Sequence, residues 1–172
     1  MNKRRPLQEE YAPYFKTYID KVDGVEFIAG LKNQSLVKAL ETLSEEEWAY
    51  RYAPNKWSVK QVVKHLSDSE RVFAYRALRI SRNDKTPLPG FNQDDYTDNA
   101  YADRQSPAAL VREFKNVRAA SIDLFESLEE ETIDRVGTAG EARTSVLALG
   151  FMILGHQNHH IQLFKENYKL WQ

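Results

Sequence analysis

At 172 residues and 42% hydrophobic content, the chain is long enough for a single domain, residues 1–172, with a substantial core. Its 24 basic and 25 acidic side chains nearly cancel, which argues against the basic face of a nucleic-acid-binding domain. Cysteine is absent, so disulfides, thiolate metal sites and a cysteine nucleophile are excluded, and any thiol in the chemistry must arrive with a cofactor or substrate.

The N-terminal block Lys3-Arg4-Arg5 leads into Pro6-Leu7-Gln8-Glu9-Glu10, not into an apolar stretch, so no secretion signal is read. A first helical pattern runs from about Val25 to Leu43, with Phe27, Ile28, Leu31, Leu36, Leu40 and Leu43 on its apolar positions. Ser44-Glu45-Glu46-Glu47 then has the form of a capping box and opens a short helix. A second long helix starts at Ser58, boxed with Gln61, and continues to about Arg82. The third begins at Ser106-Pro107, an N-cap followed by proline at the first helical position. The fourth runs from near Thr144 to about Tyr168. Its apolar run Val146 to Gly155 is about half of what a membrane span needs. No strand-like alternation of useful length is present. The expected fold is all-α, a four-helix bundle, in a protein that is cytoplasmic and free of the membrane.

The connection from Asn83 to Gln105 is long for a bundle. A second helix of about 25 residues would be about 37 Å long, which this segment can span. It therefore predicts a crossover joining parallel second and third helices, in up-down-down-up order. The segment holds Asp84, Asp94, Asp95, Asp98 and Asp103, as a solvated acidic loop or as a lid over a site.

The chemistry centres on Gly155-His156-Gln157-Asn158-His159-His160. His156 and His160 are four residues apart, within about 40° of one another on a helix. Both fall on the stripe of Val146, Leu149, Ile153 and Leu163, where a buried imidazole needs a hydrogen bond or a metal. His159 points about 100° away from that stripe. His65 lies at the edge of the apolar stripe of the second helix, beside Val62, Leu66 and Phe73. Together His65, His156 and His160 make a three-histidine set of the catalytic-zinc kind, with room for a further ligand. The same residues fit the spacing of the His-Glu-x-x-His peptidase motif. Gln157 stands where that motif needs a glutamate base, so the peptidase reading fails. Asp68, Ser69, Arg76 and Arg79 follow His65 on its own side of the helix. The arginines suit two-pronged binding of a substrate carboxylate or phosphate, or ion pairs with Glu113 or Asp123.

Trp57 to Leu66, Asp68-x-Glu70, Ala74 to Arg79, Leu88-Pro89-Gly90-Phe91 and Gly155-His156-x-x-His159-His160 together resemble the DinB-like superfamily, closest to its branch of metal-dependent hydrolases. The resemblance covers nearly the whole chain. It implies a four-helix bundle in the same up-down-down-up order, and a divalent ion, zinc or nickel, on three histidines. Motif by motif these match His65, His156 and His160. Some relatives are thiol-dependent: bacillithiol transferases and the mycothiol-dependent maleylpyruvate isomerase. One departure stands out, since this branch often has glutamate where Gln157 stands. The expected function is metal-dependent, with a water or a low-molecular-weight thiol activated against a small electrophilic substrate, as hydrolase or thiol S-transferase. The alternative is a non-catalytic metal-binding stress-response bundle. No nucleic acid or membrane partner is expected, and a homodimer is left open.

Overall fold

The computed structural model describes residues 4–171, so Lys3 of the basic block lies outside them. Four short helices open the chain: α1 (Lys16–Ile19), α2 (Phe27–Leu31), α3 (Ser35–Leu40) and α4 (Glu45–Ala49). The continuous helix expected from Val25 to Leu43 is thus broken. Its apolar positions explain why: Phe27, Ile28 and Leu31 keep one helical phase, and Leu36, Val37 and Leu40 resume in another. Asn33 closes the break by accepting a hydrogen bond from the Ser35 backbone at 2.8 Å. At α4, Ser44 and Glu47 form the capping box that their spacing predicts.

The long helix α5 (Val59–Ser81) begins at its Ser58–Gln61 capping box. The connection after it is not structureless, for it contains helix α6 (Gln93–Asn99), whose first turn is capped by Asn92. Helix α7 (Pro107–Glu126) starts at the Ser106 cap and is followed by the short α8 (Glu130–Ile133). An antiparallel hairpin, β1 (Val136–Ala139) with β2 (Ala142–Ser145), comes next and corrects the all-α expectation for an otherwise mostly helical chain. Its two-residue loop, Gly140-Glu141, has φ of +58° and +68°, as the tight hairpin turn requires. Leu88 adds a parallel bridge to Ala139, so the long connection is stitched to the hairpin. Helix α9 (Val146–Glu166) follows directly, capped by Ser145. No helix among the described residues is long and apolar enough to cross a membrane.

Helix α5 packs against both α7 and α9, while α1 and α2 cover α9. Among the described residues the interior has two apolar clusters. One gathers Phe27, Phe73, Ile80, Phe125 and the first half of α9; the other gathers Leu40, Trp48, Val62, Leu110 and Phe164. Between them the three long helices place a buried polar layer: His65, Ser69 and Glu70 from α5, Arg118 and Ser121 from α7, and His156, Gln157 and His160 from α9.

Glycines on α9 let the N-terminal helices approach this layer. A Cβ on Gly155 would stand 2.0 Å from the backbone oxygen of Tyr18, and one on Gly150 would stand 2.4 Å from the Phe27 ring. The Tyr18 carbonyl is backbone and cannot swing aside. Gly155→Ala is therefore expected to lower stability by roughly 1–3 kcal/mol or more despite alanine's better helix propensity. A melting temperature equal to or above that of the unsubstituted chain would contradict this packing.

Candidate metal centre and the cavity beside it

Helix geometry brings the three histidines together from two directions. His156 and His160 lie one turn apart on α9, and His65 faces them from the first half of α5. Nε2 of His65 is 2.9 Å from Nε2 of His156, which is 3.1 Å from Nε2 of His160. All three residues are buried. Among the described residues, this is the group of histidine and acidic side chains that brings three ligand atoms within 4.8 Å of one another.

Burial pushes the His65 imidazole down to about 4, and holds His156 and His160 well below the ordinary histidine range, with their mutual repulsion adding to the effect. At neutral pH the rings are therefore uncharged and each keeps a lone pair. Hydrogen bonding alone can satisfy the cluster only if two rings share one nitrogen of His156, whereas a cation accepts all three lone pairs. Ligands about 2.0–2.1 Å from a tetrahedral zinc stand roughly 3.3–3.4 Å apart. The two separations to His156 are within about half an ångström of that, and the three ligand atoms all lie within 4.8 Å of one another, so small side-chain adjustments would let the donor set hold such an ion.

The surroundings orient the rings. Ser69 Oγ lies 3.4 Å from Nδ1 of His65, and Trp57 packs on the His65 ring at 4.8 Å between centroids. Tyr18 stacks 5.0 Å from His156. Nδ1 of His160 is buried without a hydrogen-bond partner among the described residues. His159 is half-exposed beside Tyr18 and supplies no ligand atom to the trio.

A cavity of about 370 Å³ opens beside His65 and His156. Ser69 and Arg76 line it from α5, Tyr14, Phe15 and Tyr18 from the N-terminal segment, and Gly90, Phe91 and Gln93 from the long connection. The connection thus borders the site. None of its acids lines the cavity: Asp84 is bound to Arg79, Asp103 to Ser58 and Arg51, and Asp94, Asp95 and Asp98 are exposed on α6.

Of the polar residues expected near the site, Ser69 and Arg76 reach the cavity and Asp68 and Arg79 do not. Asp68 pairs with Lys64 at 3.3 Å and Arg71 at 3.0 Å, and both cations also hold Glu113 at 2.6 Å. Arg79 is bound to Asp84 and to the Tyr75 hydroxyl. Gln157 turns away from the histidines, and its Oε1 accepts from Arg118 Nη1 at 2.7 Å. Arg118 also donates to both oxygens of Glu70, at 2.8 and 2.9 Å, and to the Leu31 carbonyl. One carboxylate already balances this guanidinium, so a neutral amide suits position 157. Sequence reasoning missed Arg118 and Glu70. The available signal was a charge on each apolar stripe: Arg118 one turn after Phe114, and Glu70 one turn after Leu66.

Three converging imidazoles in the middle of a helical bundle, with a cavity alongside, define a candidate metalloprotein. The chain belongs to the DinB superfamily, whose family model matches residues 32–164. It is 23% identical to a provisionally named metal-dependent hydrolase of Oceanobacillus iheyensis, over 96% of this chain and 95% of that protein. It is likewise 23% identical to a similarly named protein of Bacillus cereus, over 91% of this chain and 85% of the relative. The solved structure of YfiT from Bacillus subtilis, described as a probable metal-dependent hydrolase with an unusual four-helix bundle topology, superposes with a TM-score of 0.67 at 17% identity. That match covers 99% of this chain and 96% of YfiT, and shares the bundle fold.

Two outcomes follow. Below an unfolded histidine pKa of about 6.5 the unfolded chain takes up protons that the folded chain refuses. Stability of the metal-free protein should thus be full above about 6.5 and fall as the pH drops towards about 4, by up to roughly 1.4 kcal/mol per pH unit for His65. Urea unfolding across this window should show the slope, and His65→Asn should reduce it while leaving the share contributed by His156 and His160. Separately, Arg118→Met leaves the Glu70 carboxylate buried without its partner and should cost about 3–5 kcal/mol. Adding Glu70→Leu should restore much of the loss, and a double variant no more stable than the single would count against the pairing.

Proposed function

We propose that this chain is a metal-dependent hydrolase of a small molecule, with a divalent ion, zinc or nickel, held by Nε2 of His65, His156 and His160. The observation that carries the reading is the convergence of three uncharged, buried ring nitrogens beside a cavity that two of their residues, His65 and His156, line. The provisional names of the Oceanobacillus and Bacillus relatives support it.

A divalent ion, when bound, supplies Lewis acidity that lowers the pKa of a nucleophile entering its open position. The chain's own residues prepare that position. Burial keeps the imidazoles unprotonated, and Ser69 beside Nδ1 of His65 favours the ring orientation that aims Nε2 at the common point. Phe15 and Phe73 dry one wall. Tyr18, its phenol pushed up by burial, keeps its proton and offers a hydrogen-bond donor beside His156. No carboxylate lines the cavity among the described residues, and Gln157 is committed to Arg118. Three protein ligands with an adjacent cavity favour a catalytic ion over a structural one, which closes its shell with four.

We also infer the up-down-down-up order in one domain. Contacts along α5 and α7 advance together: Lys60 with Gln105 just before α7, Lys64 with Glu113, and Glu70 with Arg118. Contacts along α5 and α9 run in opposite senses, with Trp57, just before α5, near Tyr168, just after α9, and His65 near His156 and His160.

Stripped protein titrated with zinc and nickel should bind one ion per chain. His160→Ala should weaken binding by more than the roughly 10–100-fold that loss of an outer partner costs. It should also abolish metal-dependent turnover in a panel of esters and amides, assayed with and without added low-molecular-weight thiols. The apo protein should stay folded at room temperature on its apolar clusters. Turnover only with thiol would move the assignment to a transferase. Metal binding with no turnover, or unfolding on chelation, would favour a non-catalytic bundle and overturn the hydrolase reading.

A further inference from the structure

Arg76 is 5% exposed, yet among the described residues no carboxylate pairs with it. The equally buried Arg118 shows what such a side chain ordinarily requires, with Glu70 at 2.8 Å, Gln157 and a backbone carbonyl. Arg76 donates one bond, from Nη2 to the Pro89 carbonyl at 2.6 Å, and its guanidinium lies 5.9 Å from the centroid of Phe91. A guanidinium carries five N–H donors, and burying its charge uncompensated is costly. The burial lowers its pKa, opposed by the neighbouring phenols of Tyr14 and Tyr96.

The side chain lines the same cavity as His65 and His156. Arg76 follows His65 by eleven residues on α5, which places it on nearly the same side of the helix and ~16 Å further along the axis. Space is left beside the guanidinium. Gly90 and Gly140 line the cavity there, a Cβ on Gly140 would sit 3.9 Å from Arg76 Nη2, and a Cβ on Gly90 would meet nothing within 4 Å.

We propose that Arg76 is the anchor for an anionic group of the substrate, so that the cavity takes a small amphipathic anion. Its carboxylate or phosphate lies against Arg76, its apolar body lies along Phe15, Phe73 and Phe91, and its reacting bond lies at the histidine end. This rests on the hydrolase reading of the same centre. Two-pronged recognition of either anion is what the planar fork of arginine supplies.

The test is calorimetric titration of the zinc-loaded protein with 3-phenylpropionate, phenyl phosphate and the neutral 3-phenylpropanamide. At least one anion should bind ten or more times as tightly as the amide, and the tighter of the two assigns carboxylate or phosphate. Arg76→Gln should erase that preference while leaving zinc affinity unchanged, with a melting temperature equal or higher because an unpaired buried charge is gone. Gly90→Leu, which fills the space with Arg76 intact, should erase it too, and it decides the matter if Arg76→Gln does not fold. No preference in the unsubstituted protein would overturn the proposal. So would a preference that survives both variants, since the histidine centre would then be holding the anion. A falling melting temperature with the preference intact would make Arg76 a strut for the Pro89 loop. In each of those cases unchanged zinc binding leaves the metal centre itself standing, whereas loss of zinc binding in the parent protein would remove the metal reading first.

Discussion

Arg118 reaches from α7 into the middle of the bundle and is gripped from three sides: by Glu70 of α5, by Gln157 of α9 and by the carbonyl of Leu31. Buried ion pairs gain little over good apolar packing, and breaking one is expensive. The effect of this clamp is therefore on register more than on raw stability. Gln157 is the immediate neighbour of His156, and Glu70 follows His65 by five residues. Sliding α5 against α9 by one turn, about 5.4 Å, would both break the clamp and separate the imidazoles. The histidines face one side of this arrangement and the clamp faces the other.

The parts of the fold written in local chemistry were legible in the sequence. Ser58 with Gln61, Ser44 with Glu47 and Ser106 before Pro107 start helices where they do because each cap is satisfied within four residues. The histidine trio was legible for a similar reason, as polar residues on stripes that must be buried. What escaped depends on partners far along the chain. Arg118 and Glu70 are 48 residues apart. Arg76 and Arg79 look alike from their spacing, and what separates them lies in the connection: Asp84 takes Arg79, while Pro89 offers Arg76 a single carbonyl. The hairpin escaped because its strands have four residues each, without alternation, and its turn places a glutamate at positive φ. The break between α2 and α3 is a shift of phase within an apolar pattern that counting hydrophobic residues does not detect.

The long connection and the hairpin act as one structural piece beside the site. Leu88 bonds to Thr138 and Gly140, which sets Pro89, Gly90 and Phe91 against Arg76. A small sheet in a helical chain thereby fixes backbone next to a cavity that helices alone would leave uncovered. Of the acidic residues that made the segment look like a solvated loop, Asp84 and Asp103 bind arginines, while Asp94, Asp95 and Asp98 lie exposed on α6.

The division of the interior into two apolar clusters has a consequence for how the molecule breathes. Each cluster coheres by its own contacts, while the layer between them is joined by hydrogen bonds that water can replace. Solvent penetration should thus begin at that seam, next to the cavity, before either cluster loosens. Amide hydrogen exchange in the middle turns of α5 and α9 would then run ahead of exchange at the apolar ends of the same helices, the reverse of the fraying from the termini that long helices ordinarily show. Whatever ligand bridges the seam would slow the centre most, and the protein would behave as two halves coupled through one wet hinge.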